Sequence, residues 1–104
     1  MLDTALLASI AKQVMSGNTV DVNGKQVAVR RTSRNRLRTV AFPSDGREFE
    51  AIEQNPEKPS RWGQLVRDGH QVVPFKDVST NKFVAAAVDG KVTAYGAGHG
   101  TKKR

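Results

Sequence analysis

Cysteine is missing from this 104-residue chain, which removes disulfide staples, thiolate metal sites and thiol chemistry together. Long apolar runs are missing as well. The stretch Ala5–Ala11 stops at Lys12, well short of the roughly twenty residues that a bilayer span needs. It also reads poorly as a secretory signal, because Asp3 stands where a basic n-region belongs. The expected setting is cytoplasmic, without membrane contact. Aromatics are scarce at 6%, and a chain of this length buries only about two-thirds of its unfolded surface. That supports one thin-cored domain over residues 1–95. Residues 96–104 have almost nothing to bury and are expected to form a disordered basic tail.

Residues that could carry chemistry are equally sparse. The two histidines, His70 and His99, have no cysteine and no clustered acids at ligand spacing, so no metal site is expected. His70 follows the dipeptide Asp68-Gly69 and reads as a solvated turn residue. An enzymatic role for it requires a pocket and a carboxylate within hydrogen-bond reach. Glu48, Glu50 and Glu53 read as charge balance for a basic strand rather than a catalytic pair. The glycines of segment 96–100 resemble a phosphate loop only superficially, since no helix follows them. No cofactor and no enzymatic activity are expected.

What is present is pattern. Leu6, Ile10 and Val14 recur at helical spacing, widened by Leu7 and Ala11, and predict a helix over 4–16. Asp3 or Thr4 caps it, and Gly17-Asn18 supplies a left-handed stop. From Thr19 the pattern turns to short β-rich runs, punctuated by Asn23-Gly24, Asp45-Gly46, Asp68-Gly69 and Asp89-Gly90. Such pairs favour type I′ turns and two-residue hairpins. The implied registers are consistent: Val20 faces Val27, Phe42 faces Phe49, Val40 faces Ala51, Arg38 faces Glu53, and Ala87 faces Val92. By the same rule Leu65 faces Val72 and Trp62 faces Phe75. Arg34-Asn35, the proline-flanked segment 55–60 and Ser79-Thr80-Asn81 are joints, and Pro74 marks an edge or a bulge. The expectation is a mainly β (α+β) chain, with a helix and then a meander of about four antiparallel hairpins over 19–95. In hairpin count it resembles the SH3-like small barrels, so it closes into such a barrel or a curled sheet.

The net charge of +7 is unevenly spread. Residues 25–47 carry +6 and residues 48–57 carry −4. Five arginines fall within nine residues: Arg30, Arg31, Arg34, Arg36 and Arg38. Guanidinium forks match phosphate oxygens, and Trp62, Phe75 or Tyr95 would stack a base where exposed. The expected function is a small non-enzymatic module contacting nucleic-acid phosphates through the Arg30–Arg38 hairpin. The alternative is a protein-interaction or accessory domain using a strand edge or the helix face, with Leu6, Ile10, Trp62 or Phe75 in an apolar patch. Opposing the first reading, pairing with Glu48, Glu50 and Glu53 would spend these arginines on charge balance.

Overall fold

The computed structural model describes residues 3–95, so the expected basic tail over 96–104 lies outside the described residues. The predicted first helix is present as α1, Thr4–Ser16. The Asp3 carboxylate accepts from the backbone N–H groups of Ala5 and Leu6 at 3.1 and 3.2 Å, satisfying two donors that the first turn leaves open. The stop differs from expectation. Gly17 is extended (φ −149°) rather than left-handed, and the chain runs straight into a strand.

That strand, β1 (Thr19–Val22), pairs with β2 (Lys25–Ala28), with Val20 opposite Val27 as predicted. β3 (Arg30–Arg31), β4 (Arg38–Ser44) and β5 (Arg47–Ile52) follow. Phe42 faces Phe49 and Val40 faces Ala51 in the β4–β5 hairpin. A helix α2 (Arg61–Arg67) precedes β6 (Val72–Asp77), β7 (Lys82–Val88) and β8 (Lys91–Ala94). Ala87 faces Val92 across the last hairpin. The larger sheet is six-stranded and antiparallel throughout, in sequential order from β3 to β8. It does not close. β3 and β8 remain opposite edges, so the barrel expectation is corrected to an open sheet.

The second correction concerns Asp68-Gly69. At Asn23-Gly24, Asp45-Gly46 and Asp89-Gly90 both residues have positive φ, as a type I′ turn requires. Asp68 instead has φ −83° and ends a helix. Gly69 donates to the carbonyl of Val66 at 3.0 Å, and His70 donates to that of Leu65 at 3.0 Å. This is the Schellman arrangement, with Gly69 at φ +100° in the left-handed position. The Leu65–Val72 and Trp62–Phe75 pairings therefore do not exist.

The sheet has two unlike faces. Inward, Val40, Phe42, Phe49, Ala51, Val73, Phe75, Ala85 and Ala87 are buried with Leu7, Ile10, Ala11 and Val14 of α1 and with Val20 and Val22 of β1. Of the four residues named for an apolar patch, Ile10 and Phe75 are corrected to core, both 0% exposed, while Leu6 and Trp62 are part-exposed. Outward, Val72, Pro74 and Ala86 are also buried. They alternate with the inward set, so they form a second, smaller apolar floor. Pro74 lies in an inner strand, and its missing N–H falls on the β5 side, where pairing has stopped at Ala51–Phe75. No ladder bond is lost there.

Candidate functional site

Only one of the five arginines is ion-paired among the described residues. Arg38 lies on the inward face at the end of β4. Its backbone N–H donates to Glu53 Oε1 at 3.0 Å, and its guanidinium stands 3.6 Å from Glu53 Oε2. The predicted Arg38–Glu53 partnership is therefore present, while Glu48 and Glu50 bind none of the five. In the outward register Glu50 faces Lys76 instead. Arg30, Arg31, Arg34 and Arg36 are exposed.

A tight loop holds these four in place. Thr32 N–H donates to the carbonyl of Leu37 at 2.9 Å, Leu37 N–H to Thr32 Oγ1 at 3.1 Å, and Arg36 N–H to the Thr32 carbonyl at 3.2 Å. Arg36 is held at φ +57°, a conformation uncommon for a residue with a side chain. Register places Arg31 directly opposite Arg38, a like-charge pair that would repel. The geometry relieves it: Arg38 turns to Glu53, and Arg31 Nη1 donates to the Arg36 carbonyl at 3.0 Å. The loop is thus ordered by its own bonds, with guanidinium groups left over.

Beside this loop, on the outward face, lies an aromatic group that the sequence did not reveal. Trp62 of α2 meets Phe83 of β7 edge to face at 5.3 Å and stacks on Tyr95 at 6.5 Å. Lys76 Nζ is 6.0 Å from the Phe83 ring centre. A register shift in the β6–β7 ladder makes the group possible. Phe75 pairs with Ala85 but Lys76 pairs with Phe83, so Val84 is an extra residue. In an unbroken strand Phe83, two residues before the inward Ala85, would point into the core. The bulge turns it outward. Of the three aromatics named for base stacking, Phe75 is corrected to a core residue, while Trp62 and Tyr95 are half-buried. Phe83, at 37% exposure, is the one that was missed.

α2 and the segment before it complete the outward wall. Ser60 Oγ caps α2 by accepting from Gly63 N–H at 3.2 Å. Arg67 reaches back to the carbonyls of Pro56 and Lys58. Gly63 is required where it sits, since a Cβ there would lie 2.0 Å from the Lys58 carbonyl oxygen. Between this segment and the arginine loop lies a cleft of about 130 Å³. Asn35 and Leu37 line it from the loop, Ile52, Gln54 and Asn55 from the end of β5, and Pro74 and Phe83 from the sheet. Lys58 adds a cation to its rim.

Elsewhere, Asp77 and Asp89 are held below the ordinary aspartate range. Asp77, 1% exposed, accepts from Ser79 Oγ at 2.8 Å and from Ser79 N–H at 2.9 Å. Those bonds, the hydroxyl's first, and the Arg47 guanidinium at 3.1 Å lower its pKa against the opposing effect of burial. For Asp89 the leading cause is the Gln71 N–H, which donates to Oδ1 at 2.9 Å, followed by His70 Nδ1 at 2.6 Å from Oδ2. His70 thus has the carboxylate that its sequence reading asked for, with both oxygens engaged in tying β6 to the β7–β8 turn. Asp89 also lines an open depression of about 700 Å³ between α1 and this end of the sheet, together with Ser9, Lys12 and Gln71. Among the described residues no group of three or more His, Cys, Asp or Glu could hold a metal ion. No helix there is long and apolar enough to cross a membrane.

No protein-family model matches the chain, and neither does any curated protein or solved structure.

Proposed function

We propose that this chain is a nucleic-acid-binding module whose arginine loop contacts backbone phosphates. The carrying observation is that Arg30, Arg31, Arg34 and Arg36 are exposed and carry no carboxylate partner among the described residues, on a loop rigidified by its own hydrogen bonds. An ordered loop loses little entropy on binding, and free guanidinium groups match phosphate oxygens in pairs. Arg38 is the exception. Its tie to Glu53 makes it a support for the loop rather than a contact.

Binding of this kind is driven by counterion release. With four phosphate contacts to a single strand, log K falls with log salt at a slope of about −3. Fluorescence anisotropy of labelled oligonucleotides between about 50 and 200 mM salt reads that slope directly. Each arginine changed to alanine reduces the slope by about 0.7. Absence of binding to any single- or double-stranded oligonucleotide at the lowest salt overturns the reading. The alternative, a protein-interaction domain using a strand edge or the helix face, is without Ile10 and Phe75 as surface anchors, since both are buried, and would rely on the part-exposed Leu6 and Trp62.

A further inference from the structure

We infer that the cleft beside Phe83 receives one unpaired nucleobase, so that the nucleic acid bound by this chain is single-stranded. The inference rests on the phosphate-binding reading of the arginine loop and adds a second, separable contact to it.

Size is the first argument. Pockets for whole drug-sized ligands run to about 300–1,000 Å³, whereas this cleft is about 130 Å³. It suits one ring system, not a nucleotide with its sugar and phosphate. The walls give the second. Phe83 is 37% exposed and is turned to this face by a bulge rather than by strand alternation. Trp62 backs it edge to face at 5.3 Å, so the ring is held in place to act as a stacking surface. The third argument is the polar lining. Asn35, Gln54 and Asn55 line the cleft. Asn55 Oδ1 already accepts from the Glu57 N–H at 2.9 Å and Gln54 Nε2 donates to the Asn55 carbonyl at 3.4 Å, and an amide with open donors and acceptors suits the edge of a base. The side chain of Asn35 makes no hydrogen bond with the described residues. Glu53, which also lines the cleft, is already engaged by Arg38.

The fourth argument is proximity. Asn35 stands between Arg34 and Arg36 in sequence and lines the cleft from the arginine loop. A strand whose phosphates lie on those guanidinium groups has a base within reach of Phe83. A duplex keeps its bases stacked and paired, and it presents no such base. A peptide of acidic residues alone would use the arginines but brings no ring to the slot.

Trp62 is the chain's single tryptophan and touches Phe83, so its fluorescence reports on the cleft. Three probes separate the contacts: a mixed-sequence DNA strand of about twelve nucleotides, the blunt duplex of the same sequence, and inorganic polyphosphate. The single strand is expected to quench Trp62 and to bind about tenfold or more tightly than the duplex. Phe83→Ala should lose about tenfold for the strand, lose nothing for polyphosphate, and be restored by Phe83→Tyr. Joint replacement of Arg34 and Arg36 by alanine should weaken all three probes. If Phe83→Ala binds the strand as tightly as the parent while the arginine variant weakens it, the cleft inference fails and the phosphate reading stands. Equal or tighter binding of the duplex also overturns the inference alone. So does a Phe83→Ala loss that extends equally to polyphosphate. Failure of every probe to bind removes both.

Discussion

The two faces of the larger sheet are built differently: one is a buried interior and the other keeps a part-open aromatic surface. The inward face lies under a thirteen-residue helix and the β1–β2 hairpin, and its three phenylalanines are at most 1% exposed. Phe42 packs on Phe49 at 6.0 Å and meets Phe75 edge to face at 6.2 Å. The outward face has the seven-residue α2 and the segment before it. These leave Phe83 part-exposed beside a cleft. A thin chain has invested its scarce large side chains in one dry interior. The aromatic residues left over stand at a surface with a basic loop beside them.

This contrast is open to direct attack. The largest expected effect is at Phe42, where Phe42→Ala removes a fully buried ring and should cost about 3–5 kcal/mol in chemical denaturation. On a domain whose total stability is about 5–15 kcal/mol, that approaches loss of the fold. Gly63→Ala comes next. It drives a Cβ into the Lys58 carbonyl, should cost about 1–3 kcal/mol, and displaces α2 with its preceding segment. Its signature is a blue-to-red change in Trp62 emission accompanying the lower denaturation midpoint. A Gly63→Ala protein with unchanged midpoint and emission would contradict the packing assigned to α2.

Acid should act more gently, and with a defined sign. Asp77 and Asp89 are held below their ordinary value in the folded chain, while in the unfolded chain they titrate near pH 4. As pH falls, the unfolded chain takes up protons first. The stability these groups supply is complete above about pH 4 and drains as pH drops through their lowered values. Urea midpoints measured from about pH 3 to 7 should be flat at the upper end and decline at the lower. Asp77→Asn should flatten part of that decline. The smallest effect on stability belongs to Phe83→Ala, expected to stay within about 1 kcal/mol because the ring is already partly solvated. A loss as large as that at Phe42 would show that the outward cluster is core after all, and the contrast between the faces would collapse.

The hairpins at Asn23-Gly24, Asp45-Gly46 and Asp89-Gly90 were legible because local conformation and cross-strand pattern agree there. α2 was equally written in the chain, as Trp62, Leu65 and Val66 at helical spacing behind the capping Ser60, but Asp68-Gly69 pointed the other way. A glycine with positive φ serves both a hairpin turn and a helix end, and the dipeptide alone does not say which. A hairpin at that dipeptide would set Trp62 against Phe75, whereas the two lie on opposite faces of the sheet. The arginine cluster was visible as composition. The Arg38–Glu53 pair was legible in the hairpin register, but that the other four avoid the glutamates was not, because Arg34 and Arg36 lie in a loop and β3 pairs only with β4.

Local chemistry alone determined α1, its Asp3 cap, three of the four turns, their registers and the position of the basic loop, because each depends on residues close in sequence. Tertiary structure decided the rest. Whether the sheet closes depends on how two distant edges meet, and here they do not. Phe83 lies outward because of one extra residue in a ladder formed with β6. The cleft exists only because the loop after β3, the end of β5 and the segment before α2 converge on that face. Such contacts join residues far apart in the chain, and no short-range pattern encodes the distance between them.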